Sequence, residues 1–212
     1  MSKFSAVFLG LVLPVTSLAA CATDAADASD NSPGQDDLGV TAASATALAL
    51  SQIQFGDVTF AGTGCKPGTA TIALSPDAAT LSLTASAYAV ATGGAITNTR
   101  KFCDATVVFT APAGIRLGIA SATVAGNANV PASGTGKLTV EKRFPFGSDD
   151  IANRDLVAPV SGAVSFGSNA STTWSGCGGN DQAIIHTALQ VGGTSASIQG
   201  TTITATLVAG PC

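Results

Sequence analysis

The stretch Ala79-Thr80-Leu81-Ser82-Leu83-Thr84-Ala85-Ser86-Ala87-Tyr88-Ala89-Val90 alternates apolar and polar side chains with a period of two. Leu81, Leu83, Ala85, Ala87 and Ala89 fall on one face, and Thr80, Ser82, Thr84, Ser86 and Tyr88 on the other. A helix would spread these two sets around its axis, whereas an extended chain puts one set in a core and the other in water. The reading is a half-buried antiparallel strand. Immediately before it, Thr69 to Leu74 reads as a second strand, joined through Ser75-Pro76-Asp77-Ala78, a turn with Pro at a favoured position.

The same alternation recurs outward along the chain. Cys103 to Thr110 turns Ala105, Val107 and Phe109 inward. Ile115 to Val124 does so with Ile115, Leu117 and Ile119. Gly136 to Phe144 buries Leu138 and Val140 and presents Lys137, Thr139 and Glu141. Ala183 to Val191 and Ser195 to Val208 flank Gly192-Gly193, a hairpin turn signal. Gly147 to Ser168, with Ser148-Asp149-Asp150 and Asn153-Arg154-Asp155, reads as a long loop, and Ala43 to Leu50 as at most a turn of helix. Eight or nine short strands at turn-marked intervals predict an all-β, antiparallel β-sandwich over residues 51–212.

The N-terminus follows the export template. Lys3 supplies the positive charge, Phe4 to Leu18 an apolar stretch broken at Pro14, and Leu18-Ala19-Ala20-Cys21 resembles a bacterial lipobox. That resemblance implies a signal peptide over residues 1–20, cleavage before Cys21, and lipid on the Cys21 thiol. The partner it implies is a lipid bilayer. Two or three acyl chains hold stably where one does not. Ala22, in place of an Asp, implies the outer membrane if the cell is Gram-negative. Residues 21–50 are rich in Ala, Asp, Ser, Gly and Pro without periodicity and read as a disordered acidic tether.

Charge is segregated. Asp24, Asp27, Asp30, Asp36, Asp37 and Asp57 precede Cys65 without a single base between Cys21 and Cys65, whereas eight Lys/Arg balance eight Asp/Glu from Ser51 onward. No basic patch is visible to neutralise phosphates, so nucleic acid is not an expected partner. Arg100-Lys101 and Lys142-Arg143 read as solvated strand or loop ends.

Five cysteines divide into Cys21, for lipid, and an even set of four: Cys65, Cys103, Cys177 and Cys212. In an exported chain such a set forms disulfides. A hairpin closed at Gly192-Gly193 sets residue 177 opposite about residue 208. A small bulge near Gln199-Gly200 then brings Cys212 to Cys177. This favours Cys177–Cys212 and Cys65–Cys103 among three possible pairings.

Several short motifs also occur in a telling order: Gly62-Thr63-Gly64-Cys65, Ser75-Pro76-Asp77, Arg100-Lys101-Phe102-Cys103, Pro112-Ala113-Gly114, Trp174-Ser175-Gly176-Cys177-Gly178, and the terminal Cys212. Residues 51–212 thereby resemble the family known as domain of unknown function 4360. The resemblance implies a secreted, β-rich domain and no particular activity. Phe102 stands where the family has Asn, Gly176 where it has Pro, and Val124-Ala125-Gly126-Asn127 where members often read Tyr-Arg-Gly. The family's aromatic-rich strand is here Lys142-Arg143-Phe144-Pro145-Phe146, which suggests that any ligand served by those aromatics has been lost.

Chemistry-bearing residues are few. His186 is the only histidine, so a Ser-His-Asp triad has to use it, yet no Gly-x-Ser-x-Gly elbow, His-Glu-x-x-His or phosphate loop is present. No catalytic residue and no cofactor are expected. Asp149, Asp150, Asn153 and Asp155 are the one group of oxygen ligands that suits calcium, although a solvated acidic loop accounts for them as well. Trp174 and Tyr88, the unique Trp and Tyr, are the candidate sugar-stacking residues. The sequence thus predicts a non-enzymatic, membrane-tethered envelope domain, structural or adhesive. Its rivals are a carbohydrate-binding module with Trp174 or Tyr88 exposed, and a hydrolase with His186 in a cleft beside a hydroxyl and a carboxylate.

Overall fold

The computed structural model describes residues 50–212, so the leader, Cys21 and the tether lie outside the described residues. The strands in chain order are β1 (Gln54–Ala61), β2 (Ala70–Leu74), β3 (Thr80–Ala85), β4 (Ala89–Ala91), β5 (Asn98–Ala111), β6 (Ile115–Val130), β7 (Thr135–Arg143), β8 (Asp149–Leu156), β9 (Val160–Ser168), β10 (Thr173–Trp174), β11 (Gly179–Gly192) and β12 (Ser197–Pro211). They form two antiparallel sheets. The first has the order β1-β5-β11-β7-β8. The second has the order β10-β6-β12-β3-β2, with β9 also on β6 and β4 also on β12. The architecture is the β-sandwich that the alternation predicted, its core filled by the inward residues of both sheets.

Leu81, Leu83 and Ala85 are buried as read, but the alternation does not run on to Val90. The chain turns at Ser86-Ala87, with Ala89 N–H donating to the Ala87 carbonyl, and the phase resets. Tyr88 and Val90 then face the core. Alanine fits either face, so the sequence leaves this reset invisible.

Bulges shift the phase elsewhere, one in β1 between Phe55 and Val58 and two where β12 meets β6. Pairing of β12 with β6 skips Ala120 and Thr201. Ahead of Ala120 the buried residues of β6 are Leu117 and Ile119, and beyond it Ala122, Val124, Ala128 and Val130. An extra residue in one strand moves every later side chain to the other face.

Three expectations are corrected. Gly192-Gly193 does not close a hairpin. β11 already pairs with β5 and β7, and β12 with β6, β3 and β4, so the turn is an arch between sheets. Gly147 to Ser168 is not a loop but contains β8 and β9, which pair with β7 and β6. Lys142 is not solvated: its side chain is 0 % exposed.

Lys142 points between the sheets. Its ammonium lies 3.1 Å from Asp150 Oδ2 and donates to the carbonyls of Ser171 (2.6 Å) and Ala120 (3.3 Å). Ala120 is the residue the β6 bulge leaves out of the register with β12, and the lysine bonds its carbonyl there. The Ser168 hydroxyl donates to Asp150 from β9. One buried cation therefore ties β7, β8, β6 and the 169–172 loop together across the sandwich.

Cys65 is bonded to Cys103 and Cys177 to Cys212, with Cα atoms 5.2 and 5.9 Å apart. The second bridge spans the two sheets rather than a hairpin. It ties the residue just ahead of β11 to the end of β12, where Cys212 N–H also donates to the Gly114 carbonyl.

Candidate functional site

His186 lies on the outer face of the first sheet, beside Asp104 of β5 and Glu141 of β7 in register. Its Nδ1 is 2.7 Å from Asp104 Oδ1, and its ring packs on Phe102 with centroids 5.8 Å apart. Glu141 is engaged by Arg143 at 3.1 Å. The histidine thus has the carboxylate a triad needs, but no Ser or Thr hydroxyl is hydrogen-bonded to it among the described residues. A nucleophile within reach of the base is the geometric requirement for covalent catalysis, and this arrangement does not supply it.

Tyr88 is not a surface platform. It is 1 % exposed, and its hydroxyl donates to Thr187 Oγ1 at 2.9 Å. The ring slots between Gly64 and Gly200, where an added Cβ would fall 2.2 and 2.7 Å from ring carbons. This close approach explains the glycine before Cys65. Burial pushes the Tyr88 phenol well above its usual range. Tyr88→Phe should keep the packing but remove the donor to Thr187 Oγ1, whose own hydrogen still reaches the Cys103 carbonyl at 3.5 Å. The expected loss is about 1 kcal/mol in urea unfolding, with an unchanged slope. A variant as stable as the parent would show that the bond contributes nothing.

Trp174 is half-buried. Its ring lies over Gly118 and Gly210 on the outer face of the second sheet; a Cβ added at Gly118 would fall 2.7 Å from a ring carbon, and one at Gly210 3.0 Å. The Arg116 guanidinium sits 4.5 Å from the ring centroid. That cation–π contact occupies the aromatic ring a sugar would need.

The candidate calcium ligands do not converge. Asp149, Asn153 and Asp155 are exposed along the edge strand β8, and Asp150 binds Lys142. No group of three or more His, Cys, Asp or Glu residues suited to a metal occurs among the described residues.

The motif residues turn out to be scaffold. Ser75 donates to Asp77 and accepts from Thr80 N–H, while Asp77 accepts from Ala79 N–H, which closes the Ser-Pro-Asp turn. These donors, the Ser75 hydroxyl foremost, hold the Asp77 carboxyl below its ordinary range. Ser175 exchanges backbone and hydroxyl bonds with Leu117.

A different region carries a binding geometry. β11 pairs with β5 from Gly179 onward but with β7 only from Ile184, opposite Arg143. Beyond Arg143 the chain peels away through Phe144-Pro145-Phe146-Gly147, leaving a notch in the first sheet. A cleft of about 290 Å³ lies there, lined by Val108, Pro145, Phe146, Asn180, Asp181 and Gln182.

Phe144 turns inward and meets Phe109 edge-on at 6.1 Å, whereas Phe146 is 82 % exposed. The turn presenting Phe146 is fixed by bonds from Ser148 N–H to the Trp174 carbonyl (3.1 Å) and from Trp174 N–H to Ser148 Oγ (2.8 Å). The sequence offers only Trp174 and Tyr88 as stacking residues and sets Phe146 aside, within Phe144-Pro145-Phe146, as the remnant of an aromatic-rich strand that has lost its ligand. The available signal was an aromatic after Pro and before Gly, between two strands.

Fold and bridges define the class: an antiparallel β-sandwich stapled by two disulfides, of the kind found in oxidising compartments outside the cytosol. More particularly, the chain belongs to the DUF4360 family, a domain of unknown function, whose sequence model matches residues 51–209. No curated protein matches the chain. Among solved structures it is similar to TmCBM61, determined in complex with beta-1,4-galactotriose. The identity is 6 % and the TM-score 0.34, over 75 % of this chain and 91 % of that one.

Proposed function

We propose that the chain is a lipid-tethered adhesive module of the bacterial envelope, without a catalytic role, and that it makes contact through the Phe146 notch. The observation that carries this reading is an aromatic side chain held 82 % exposed by a pinned turn, in a cleft edged with amides. Together with Val108, 37 % exposed in the same cleft, it offers apolar surface whose burial by a partner would be favourable. The lipobox-like Leu18-Ala19-Ala20-Cys21 and the acidic stretch behind it support a domain displayed at a distance from a bilayer, the outer membrane in a Gram-negative cell.

Two measurements test the reading. Cys21→Ala should move a folded, disulfide-bonded protein from the membrane fraction to the soluble one. If that variant stays with the membranes, the tether reading fails. Cells displaying Phe146→Ala should attach to surfaces less than cells displaying equal amounts of the parent, and equal attachment would remove the adhesive role from the notch.

A further inference from the structure

Resting on that reading of the notch, we infer that its ligand is a neutral saccharide, stacked on Phe146 and bonded through the amides of Asn180 and Gln182. The lining has the two features a pyranose ring requires. Phe146 and Val108, 82 % and 37 % exposed, offer an apolar surface for the C–H face of the ring. The polar groups beside them are uncommitted on the side that matters. Thr110 Oγ1 donates to Asn180 Oδ1 at 2.6 Å, which leaves the Asn180 amide hydrogens free to donate. The exposed Gln182 amide has no side-chain partner among the described residues and both donates and accepts, as a sugar hydroxyl does.

Asp181, between them, takes the other face of the strand: it registers opposite the core residue Phe109 and is 8 % exposed, with its Oδ1 accepting from Gln182 N–H at 2.8 Å. The ligand-facing polar groups are therefore the amides of Asn180 and Gln182.

Other ligand classes fit less well. No lysine or arginine lines the notch, so nothing there recognises a phosphate or a carboxylate. One carboxylate alone does not hold a metal ion. An added peptide strand needs a run of free backbone edge, and here β11 is unpaired toward β7 only from Gly179 to Ala183, with Pro145 and Phe146 walling the gap. The volume of about 290 Å³ lies at the small end of ligand pockets and suits one or two sugar rings.

The test applies the purified full chain to an array of neutral and acidic oligosaccharides beside an array of unmodified peptides. The parent should bind neutral glycans, with an affinity that changes little between about 50 and 500 mM salt, since no ion pair is involved. Phe146→Ala should weaken that binding at least tenfold and Gln182→Ala several-fold, while Val157→Ala, at another exposed apolar position, should leave it unchanged. No binding to any neutral glycan, or glycan binding indifferent to Phe146→Ala, overturns the inference. Phe146-dependent binding to peptides instead overturns the saccharide but keeps the notch as the adhesive surface. Loss of Phe146-dependent binding on both arrays sinks the adhesive reading too.

Discussion

Lys142→Ala should cost about 3–5 kcal/mol of stability, the range for removing one partner of a buried ion pair, and should lower Tm by roughly 10 °C for a domain of this size. The physical reason is threefold. The substitution leaves the carbonyls of Ala120 and Ser171 without their donor, leaves Asp150 without its cation, and opens a cavity where a long stem was fully enclosed. Lys142→Met separates these effects. It keeps most of the stem, so any loss it retains belongs to the polar contacts. Thermal unfolding of both variants measures this. A Lys142→Met domain that melts with the parent would mean that the lysine contributes packing alone.

The same cluster gives stability a pH dependence. The Ser168 hydroxyl, and after it Lys142, hold the Asp150 carboxyl below its ordinary value of 3.8. A carboxyl whose folded pKa is depressed stabilises the fold above its unfolded pKa. That contribution is lost as pH falls through the folded value. Stability should therefore decline from about pH 4 downward, and Asp150→Asn should flatten that part of the acid limb while lowering the plateau above it.

Removing both cysteines of a bridge, as Cys177→Ala with Cys212→Ala or Cys65→Ala with Cys103→Ala, should each cost roughly 4 kcal/mol. The chain-entropy account of cross-links gives that figure for loops set by sequence separations of 35 and 38. The two bridges should nevertheless differ in behaviour. Cys65 and Cys103 are fully buried, Cys103 on the inner face of β5, so their removal also opens a void in the core. Cys177 and Cys212 are exposed at the end of the sandwich. A mild reductant should open Cys177–Cys212 first, because exchange requires a thiolate to reach the sulfur. Peptide mapping during a reductant titration follows both. Simultaneous opening would show that the domain unfolds before either bridge is attacked, and a peptide joining Cys65 to Cys177 would overturn the connectivity.

The sandwich was legible because alternation survives in isolation. Ala105, Val107, Phe109, Leu138 and Val140 all face the core as their spacing demands. What misled the reading of Tyr88 and Lys142 was the assumption that phase and polarity settle burial. Tyr88 is reached after a turn that alanines conceal. Lys142 sits at an inward position that an alternating pattern assigns to an apolar residue, and its partners lie on other strands. The hairpin inferred at Gly192-Gly193 placed Cys177 near Cys212, as the structure also has it, but by a different path: two strands of similar length, one in each sheet, ending at the same end of the sandwich.

From sequence alone came the fold class, the inward face of most strands, and an even cysteine set apart from Cys21. Those follow from local rules, since a side chain's face depends on its own position in a pleat and an even count of exported cysteines predicts pairing. Only the tertiary structure decided which sheet each strand joins, that a lysine closes the gap left by the Ala120 bulge, and that β7 stops short of β11 to leave Phe146 at the edge of a notch. A four-residue connection such as the one between β11 and β12 can reverse the chain within a sheet or carry it to the other sheet. The choice is made by which strand edges remain free to pair, and that is a property of the whole assembly rather than of any stretch of it.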